Sequence, residues 1–413
     1  MPFLLPEDYS YPMPTMHKVK QEIKSERLDD IVGAIRKEMS KDEIRSKIKP
    51  NAKIAVGVGS RGLKNLALIV KSVVDNLKEA GANPFILSAM GSHGGGREAG
   101  QQQVLADYGI TEEAMGVPVI AKIDSTLIGK TKTKGVDVWF DDIALECDMI
   151  VPINRIKLHT HFSGELQSGL NKMLTIGFGN HVGCTAYHKS GFSDFATTMV
   201  EAVEVIKGKV NVGFGLAVVE NAYDETLLVE AVLGDKISER EKALLAIANE
   251  NYPRIMVKDI DILVVKEIGK NISGTGLDPH VVGKSYNINI FPLPVPDIDH
   301  MVLLDSTTQT HGNLFGIGNF TAITRKVFEQ MDYEKTYANC LAAMSFEDAK
   351  IPMIAADEEE AIRMVVKCLR KPTADKNNLK IVKIKNTLEL DEIEVSDALV
   401  AYVNEHPSLK LIK

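Results

Sequence analysis

The chain has 413 residues, 45% of them hydrophobic and 25% charged, with a formal net charge of −8. That length favours two domains over one, and an acidic balance without a long basic track excludes nucleic acid as the expected partner. Cys147, Cys184, Cys340 and Cys368 are widely spaced and form no CxxC pair, which points away from a disulfide framework or zinc knuckle and toward a reducing cytoplasm.

Residues 1–25 contain Pro2, Pro6, Pro12 and Pro14 and read as an irregular arm, too acidic and too proline-rich for a signal peptide. No apolar run reaches membrane-spanning length, so no membrane partner is expected. Helices are expected over 28–38 and 41–48. The run from Lys53 to Gly62 then reads as a strand entering a glycine turn, and Leu66, Ile69, Val70, Val73, Val74 and Leu77 give the helical period that follows. A second strand over 83–90 opens into Gly91-Ser-His-Gly-Gly-Gly96 and a helix over 97–108. A short strand at 117–121, an edge ribbon at 136–143 and a fully apolar strand at 148–153 bring the count to that of a doubly wound, mostly parallel α/β sheet. Such sheets bind ligands in the loops after the carboxyl ends of their strands.

The next stretch predicts a helix over 165–178 that carries Lys172 and is loosened at its end by Gly177 and Gly179, with His188 in the loop beyond. A helix over 195–206 and a hairpin formed by 210–220 and 226–233 follow. Ser238 with Glu241 three residues later has the spacing of a capping box for a helix running to Asn249. Pro253 and the charged run Lys258-Asp-Ile-Asp261 mark a boundary near 255, giving domains 1–255 and 256–413 with the active site expected in the cleft between them. The second domain is also α/β. It has strands at 260–265, 301–305 and 380–384, helices at 321–330, 333–344 and 359–369, and a last helix at 398–404 that is able to pack back on the first domain.

Residues 151–191 concentrate the chemistry. Four of the ten histidines, His159, His161, His181 and His188, lie here beside Arg155, Lys157 and Lys172 on an apolar framework. A buried cation needs a partner or a purpose. Lys172 reads either as a lysine snorkelling to solvent or as an amine made nucleophilic by burial. His159-Thr-His161 has the alternation of a metal pair but lacks a third ligand at hydrolase spacing. Upstream, His93 is either a helix-cap neighbour or a catalytic imidazole left unscreened by its glycines. Ser60, Arg61 and Gly62 form a strand-to-helix turn able to take a phosphate or carboxylate, with a surface arginine as the alternative reading. His17, His280, His300, His311 and His406 are taken as structural, and His181 as a loop histidine.

Together these residues resemble the nickel-pincer lactate racemase family. GLNKMLTIG followed by His188 is similar to that family's attachment lysine and nickel-binding histidine; AMGSHGGGREAGQQ resembles its first catalytic histidine loop and Lys157-Leu-His159 its second; VGSRG resembles its phosphate-binding turn. The resemblance implies a nickel-pincer nucleotide, a pyridinium-3,5-bisthiocarboxylic acid mononucleotide holding nickel, covalently attached to Lys172. It further implies nickel ligation by His188, a phosphate clamp of Ser60, Arg61 and Gly62, acid–base roles for His93 and His159, and a substrate-side role for Lys270 in LVVKEIGKNISGTGLDP. The implied activity is racemisation or epimerisation of a 2-hydroxy acid by hydride transfer to and from the cofactor, with the cofactor-maturation enzymes as partners and self-association left open. Histidine suits a reversible proton transfer because its ordinary pKa, about 6.5, lets it act in both directions. The longer spacing from His159 to Lys172, and His161 where related branches carry an acid, imply a divergent branch whose substrate need not be lactate. Two readings from other classes stand beside this one: a non-catalytic carrier or sensor of a nucleotide-like anion, and a zinc hydrolase built on His159 and His161.

Overall fold

A computed structural model describes residues 4–60, 62–191, 194–371 and 374–412. The chain divides into two compact units, Ser25–Tyr252 and a second made of residues 1–24 with Pro253–Lys413. The amino-terminal end differs from expectation. Instead of an irregular arm on the first domain, Met16–Gln21 is a strand, β1, that pairs antiparallel with Glu392–Ser396 on one side and Leu409–Leu411 on the other. Backbone pairing with strands more than 370 residues away overrides the local proline signal; Val19 is fully buried there, and Gln21 donates from its amide to the Leu390 carbonyl at 2.6 Å.

In the unit Ser25–Tyr252, six strands form one sheet. They are β2 (Lys53–Val58), β3 (Asn83–Ser88), β4 (Val119–Ile120), β7 (Met149–Arg155), β8 (Phe214–Glu220) and β9 (Thr226–Leu233). Their order is β4-β3-β2-β7-β8-β9, parallel except for the β8–β9 hairpin. The expected ribbon is separate: β5 (Ser125–Lys130) and β6 (Asp137–Asp141) pair antiparallel. Buried Val56, Ile86, Val151 and Leu216 pack with Ile69, Val70, Val73 and Leu77 of helix Leu66–Glu79, which shows why the heptad-like apolar spacing after Gly62 was informative.

The strand order fixes where this unit presents its loops. The chain steps outward from β2 to β3 to β4, then returns to the other side of β2 with β7 and continues outward to β8. The direction of winding reverses between β2 and β7. Loops leaving the carboxyl ends of those two strands diverge and leave a crevice, the place where open α/β sheets bind ligands.

The other unit has an eight-stranded sheet in the order β13-β12-β11-β10-β14-β15-β1-β16. Its new strands are β10 (Asp259–Ile268), β11 (Asp297–Ser306), β12 (Ala322–Thr324), β13 (Met353–Ala355), β14 (Ile381–Ile384), β15 (Glu392–Ser396) and β16 (Leu409–Leu411). β12 lies where a helix over 321–330 was expected. Only Arg325–Glu329 is helical, because Ala322, Ile323 and Thr324 are buried beside β11 and Thr324 caps the helix by accepting from the Val327 N–H. The last helix, Val400–Glu405, is held within this unit, with Tyr402 donating to the Met256 carbonyl at 2.9 Å. Among the described residues no helix is long and apolar enough to cross a membrane.

Candidate active site

The crevice of the Ser25–Tyr252 unit receives the loops after β2, β3 and β7. After β2 comes the Gly59-Ser60 turn. Ser60 hydrogen-bonds His93 Nδ1, so the turn after β2 and the glycine loop after β3 meet side chain to side chain. The Ser60 carbonyl accepts from Tyr108 at 2.7 Å, and a Cβ on Gly62 would fall 3.1 Å from the same tyrosine ring. Arg61 lies outside the described residues.

The glycine loop is held from beneath by a residue the sequence reading overlooked. Gln101, fully buried, accepts from Ser88 Oγ at 2.7 Å and donates to the Gly91 carbonyl at 3.1 Å. Gly94, Gly95 and Gly96 all have positive φ, between 62° and 70°, a conformation side chains disfavour. A Cβ on Gly94 would sit 2.5 Å from the Gln101 nitrogen, so this loop cannot lie on its helix with a larger residue there. His93 is left exposed above it.

The loop after β7 closes on itself. Lys157 and Ser168 exchange both backbone hydrogen bonds at 3.0 and 3.1 Å, and the 158–167 segment between them is organised around His159. The His159 N–H donates to Gln167 Oε1 at 2.7 Å, and His159 Nδ1 accepts from the His161 N–H at 3.1 Å. That acceptor role puts the proton of the neutral imidazole on Nε2. Phe162, 3% exposed, stacks on the His159 ring at 4.2 Å, and Lys172 Nζ lies over the same phenyl ring at 6.0 Å. Phe162 therefore links the second imidazole to the lysine. Nothing in a hydropathy pattern distinguished it from a core residue.

Arg155 is engaged within the protein. It pairs with Glu220, whose other oxygen accepts from the Lys64 N–H at 3.1 Å, so one carboxylate ties the end of β7 to the segment leading into helix Leu66–Glu79. Burial would lower the Arg155 pKa, but the Glu220 and Asp224 charges outweigh it and raise it.

The expected helix over 165–178 starts later, at Leu170, because Ser168 is spent on the Lys157 pairing. Directly after Lys172 it widens into a π turn, Met173–Gly177, in which the Phe178 N–H donates to the Met173 carbonyl at 2.9 Å. Such turns recur at functional sites. Glycines make the contact with β2 close: a Cβ on Gly57 would fall 2.3 Å from Phe178, and one on Gly59 3.3 Å from the Met173 methyl.

His188 is not in a loop. It is the penultimate residue of helix Asn180–Lys189, which restarts after Gly179 because Asn180 accepts a φ of 51° and donates to Asp141 Oδ2 at 2.8 Å. Asp141 is fully buried, and burial pushes its pKa up to about 6. His181, Cys184 and His188 recur on one helix face. Cys184 Sγ is 3.8 Å from His188 Nδ1 and 3.5 Å from Ser92 Oγ, which brings His188 next to the loop bearing His93. Burial raises the Cys184 pKa, but the hydrogen bonds from His188 and Ser92 prevail and leave it lowered. His181, set aside from sequence, packs against the glycine loop: a Cβ on Gly96 would be 3.2 Å from its Nδ1.

The structure thus joins Ser60 to His93, His159 to Lys172 through Phe162, and His188 to the His93 loop through Cys184 and Ser92. Lys270 belongs to the other unit, in the loop after β10, where it donates to the Gly274 carbonyl at 2.6 Å and lies 4.5 Å over Phe315. Among the described residues no group of three His, Cys, Asp or Glu is placed to hold a metal, so a zinc site on His159 and His161 has no third protein ligand there. His300 is structural, with both ring nitrogens bonded, to Thr321 at 2.9 Å and to the Cys368 carbonyl at 2.8 Å.

Residues 2–199 match the family described as the lactate racemase N-terminal domain. Among solved structures, the chain is similar to the lactate racemase apoprotein from Thermoanaerobacterium thermosaccharolyticum, with 15% identity, a TM-score of 0.53 and coverage of 94% of this chain and 96% of that one. It is also similar to a structural-genomics protein from Thermotoga maritima, with 13% identity, a TM-score of 0.51 and coverage of 80% and 84%. At these identities the likeness is one of fold. No curated protein matches the chain.

Proposed function

Because residues 2–199 match a lactate racemase N-terminal domain, we propose that the protein is an isomerase that racemises or epimerises a 2-hydroxy acid with a nickel-pincer nucleotide tethered to Lys172. One observation carries the reading: His93 stands on the loop after β3 and His159, Lys172 and His188 on the segment after β7, the two strands that flank β2, with Phe162 stacked on His159 and lying 6.0 Å beneath Lys172 Nζ. An amine on a half-buried helical turn and an imidazole on the helix after it suit such a group. The close contacts of Gly57 with Phe178 and of Gly59 with Met173 hold that turn against β2.

Lys172 would hold the cofactor covalently and His188 would supply the protein's imidazole to nickel as a neutral nitrogen donor. Ser60, Arg61 and Gly62 would take the phosphate through the turn after β2. When bound, the group supplies nickel and the hydride-accepting carbon. The chain's own part is proton handling and placement. His93 and His159, on the loops of two different strands, would each remove and return the hydroxyl proton of one enantiomer. The Nδ1 contact from the His161 N–H leaves Nε2 of His159 as the nitrogen that exchanges it. Lys270 is assigned to the substrate.

Mass spectrometry of the protein co-expressed with cofactor-maturation enzymes tests the tether: an adduct on Lys172 with stoichiometric nickel is expected, and its absence ends the proposal. Chirality and deuterium exchange across a panel of 2-hydroxy acids and aldonates then identify the substrate.

A further inference from the structure

The turn that carries Lys172 is gripped from below by residues outside the chemistry just described. Glu241 is 1% exposed, and its Oε2 accepts from the Asn171 N–H at 2.9 Å. Ser238, one turn earlier on the same helix, donates to Asn171 Oδ1 at 2.6 Å. Gly169 presses on the same carboxyl: a Cβ there would lie 2.4 Å from Glu241 Cδ, while the Gly169 carbonyl accepts from Asn154 Nδ2 at 2.7 Å. The residues on the amino side of Lys172 are therefore fixed from two elements, helix Ile237–Glu250 and the end of β7.

This arrangement overturns the capping box. Ser238 and Glu241 do not cap their own helix, whose first residue is Ile237 and whose flanking Lys236 makes no side-chain cap; both point sideways to Asn171. An exposed serine or aspartate would suffice merely to start a short helix. A carboxyl sealed from water is costly, and burial pushes Glu241 up to about 7. Bonds to it from the Asn171 N–H and side chain and from the Leu170 backbone, all on the turn before Lys172, hold that rise back only in part. So expensive a group, aimed at the residue next to the lysine, is better explained by placement than by packing.

We propose that Glu241 is a positioning residue for Lys172, fixing the Gly169–Asn171 backbone so that the amine is held over Phe162. The inference rests on Lys172 being the attachment point.

Its test does not need the cofactor. The full-length, unloaded protein is treated briefly with acetic anhydride, and the labelling of each lysine is read by mass spectrometry, with Lys157 as internal reference. In Glu241→Ala, Lys172 should be released toward solvent and label about fivefold faster or more relative to Lys157, while Glu241→Gln, which keeps an acceptor in place, should restore the rate to within about twofold. Glu241→Asp, one methylene short, should behave like the alanine variant and serves if that variant does not fold. Unchanged labelling at Lys172 would overturn the proposal. So would a rise shared by all lysines, which marks a general structural role, or a failure of glutamine to rescue. Lack of an adduct on Lys172 in wild-type protein co-expressed with the maturation enzymes would instead sink the cofactor reading and leave the labelling result standing.

Discussion

The two sheets reverse direction in the same way and use the reversal differently. In the six-stranded sheet the winding turns between β2 and β7; in the eight-stranded sheet it turns between β10 and β14, with β11, β12 and β13 to one side. Both reversals open a crevice at strand carboxyl ends. Around the first, the ionisable side chains of one loop meet those of another, as Ser60 does His93, and Glu220 joins Arg155 to the Lys64 N–H. Around the second, Lys270 is tied to a carbonyl of its own loop and Asn386 bridges Glu267 and Glu389. Topology thus offers two places: at the first the cross-loop bond brings a histidine to a serine, Ser60 to His93, whereas at the second the cross-loop bonds join Asn386 to Glu267, Thr307 to Asn271 and the Lys270 N–H to Thr310. If that difference is functional, lesions at the first reversal should abolish turnover, while lesions at the second should alter binding.

The sharpest break is loss of either imidazole. His93→Ala and His159→Ala should each lower kcat of the cofactor-loaded enzyme by about a thousandfold, the scale of a lost acid–base group, while leaving the Lys172 adduct in place by mass spectrometry. Retained turnover in either variant would mean that the first reversal is not the centre of the chemistry.

Next in size is a pH effect on stability. Glu241 has its pKa raised from 4.5 to about 7 by burial, so the folded state holds a proton that the unfolded chain has already released in that interval. For a carboxyl raised in this way, stability is unaffected below the unfolded value, falls as pH rises between the two, and levels off above about 7. The full loss is about 3 kcal/mol at roughly 1.4 kcal/mol per pH unit. Glu241→Gln removes this slope, and the remaining decline should follow Asp141, which rises from 3.8 to about 6. Urea unfolding at pH 5 and pH 8 measures it; an unchanged difference between the two would show that Glu241 stays charged throughout.

The third lesion is at the second reversal. Lys270→Ala should raise KM about tenfold, a loss of about 1.4 kcal/mol of binding, with kcat little changed. A fall in kcat with unchanged KM would place Lys270 among the reacting groups and erase the distinction between the sheets.

Much of this was legible in the chain. Apolar runs and glycine turns located β2, β3 and β7 and therefore the loops bearing His93 and His159, because buried parallel strands must be continuous in hydrophobicity. What could not be read depends on partners distant in sequence. β1 has no local signature strong enough to outweigh its prolines and exists because β15 and β16 flank it. Ser238 and Glu241 fit a capping box by spacing, yet the same two side chains reach Asn171 equally well, and only tertiary packing chooses between these uses. Gly177 and Gly179 looked like a helix end; Asn180 in the left-handed region turns the corner and begins another helix, carrying His188 with it.

The smallest predicted effect probes the wall of the first crevice. Tyr187 is fully buried, and its ring meets Phe195 at 6.1 Å, which in turn meets Phe162 at 4.6 Å. Its hydroxyl finds no hydrogen-bond partner among the described residues, and burial raises its pKa well above the ordinary phenol. A buried hydroxyl without a partner costs free energy that a phenyl ring does not. Tyr187→Phe should therefore stabilise the unloaded protein by about 1 kcal/mol in urea unfolding. The sign is what matters. Destabilisation would mean that the hydroxyl has a partner beyond the described residues, and the contact from Tyr187 through Phe195 to Phe162 would place that partner beside the first reversal.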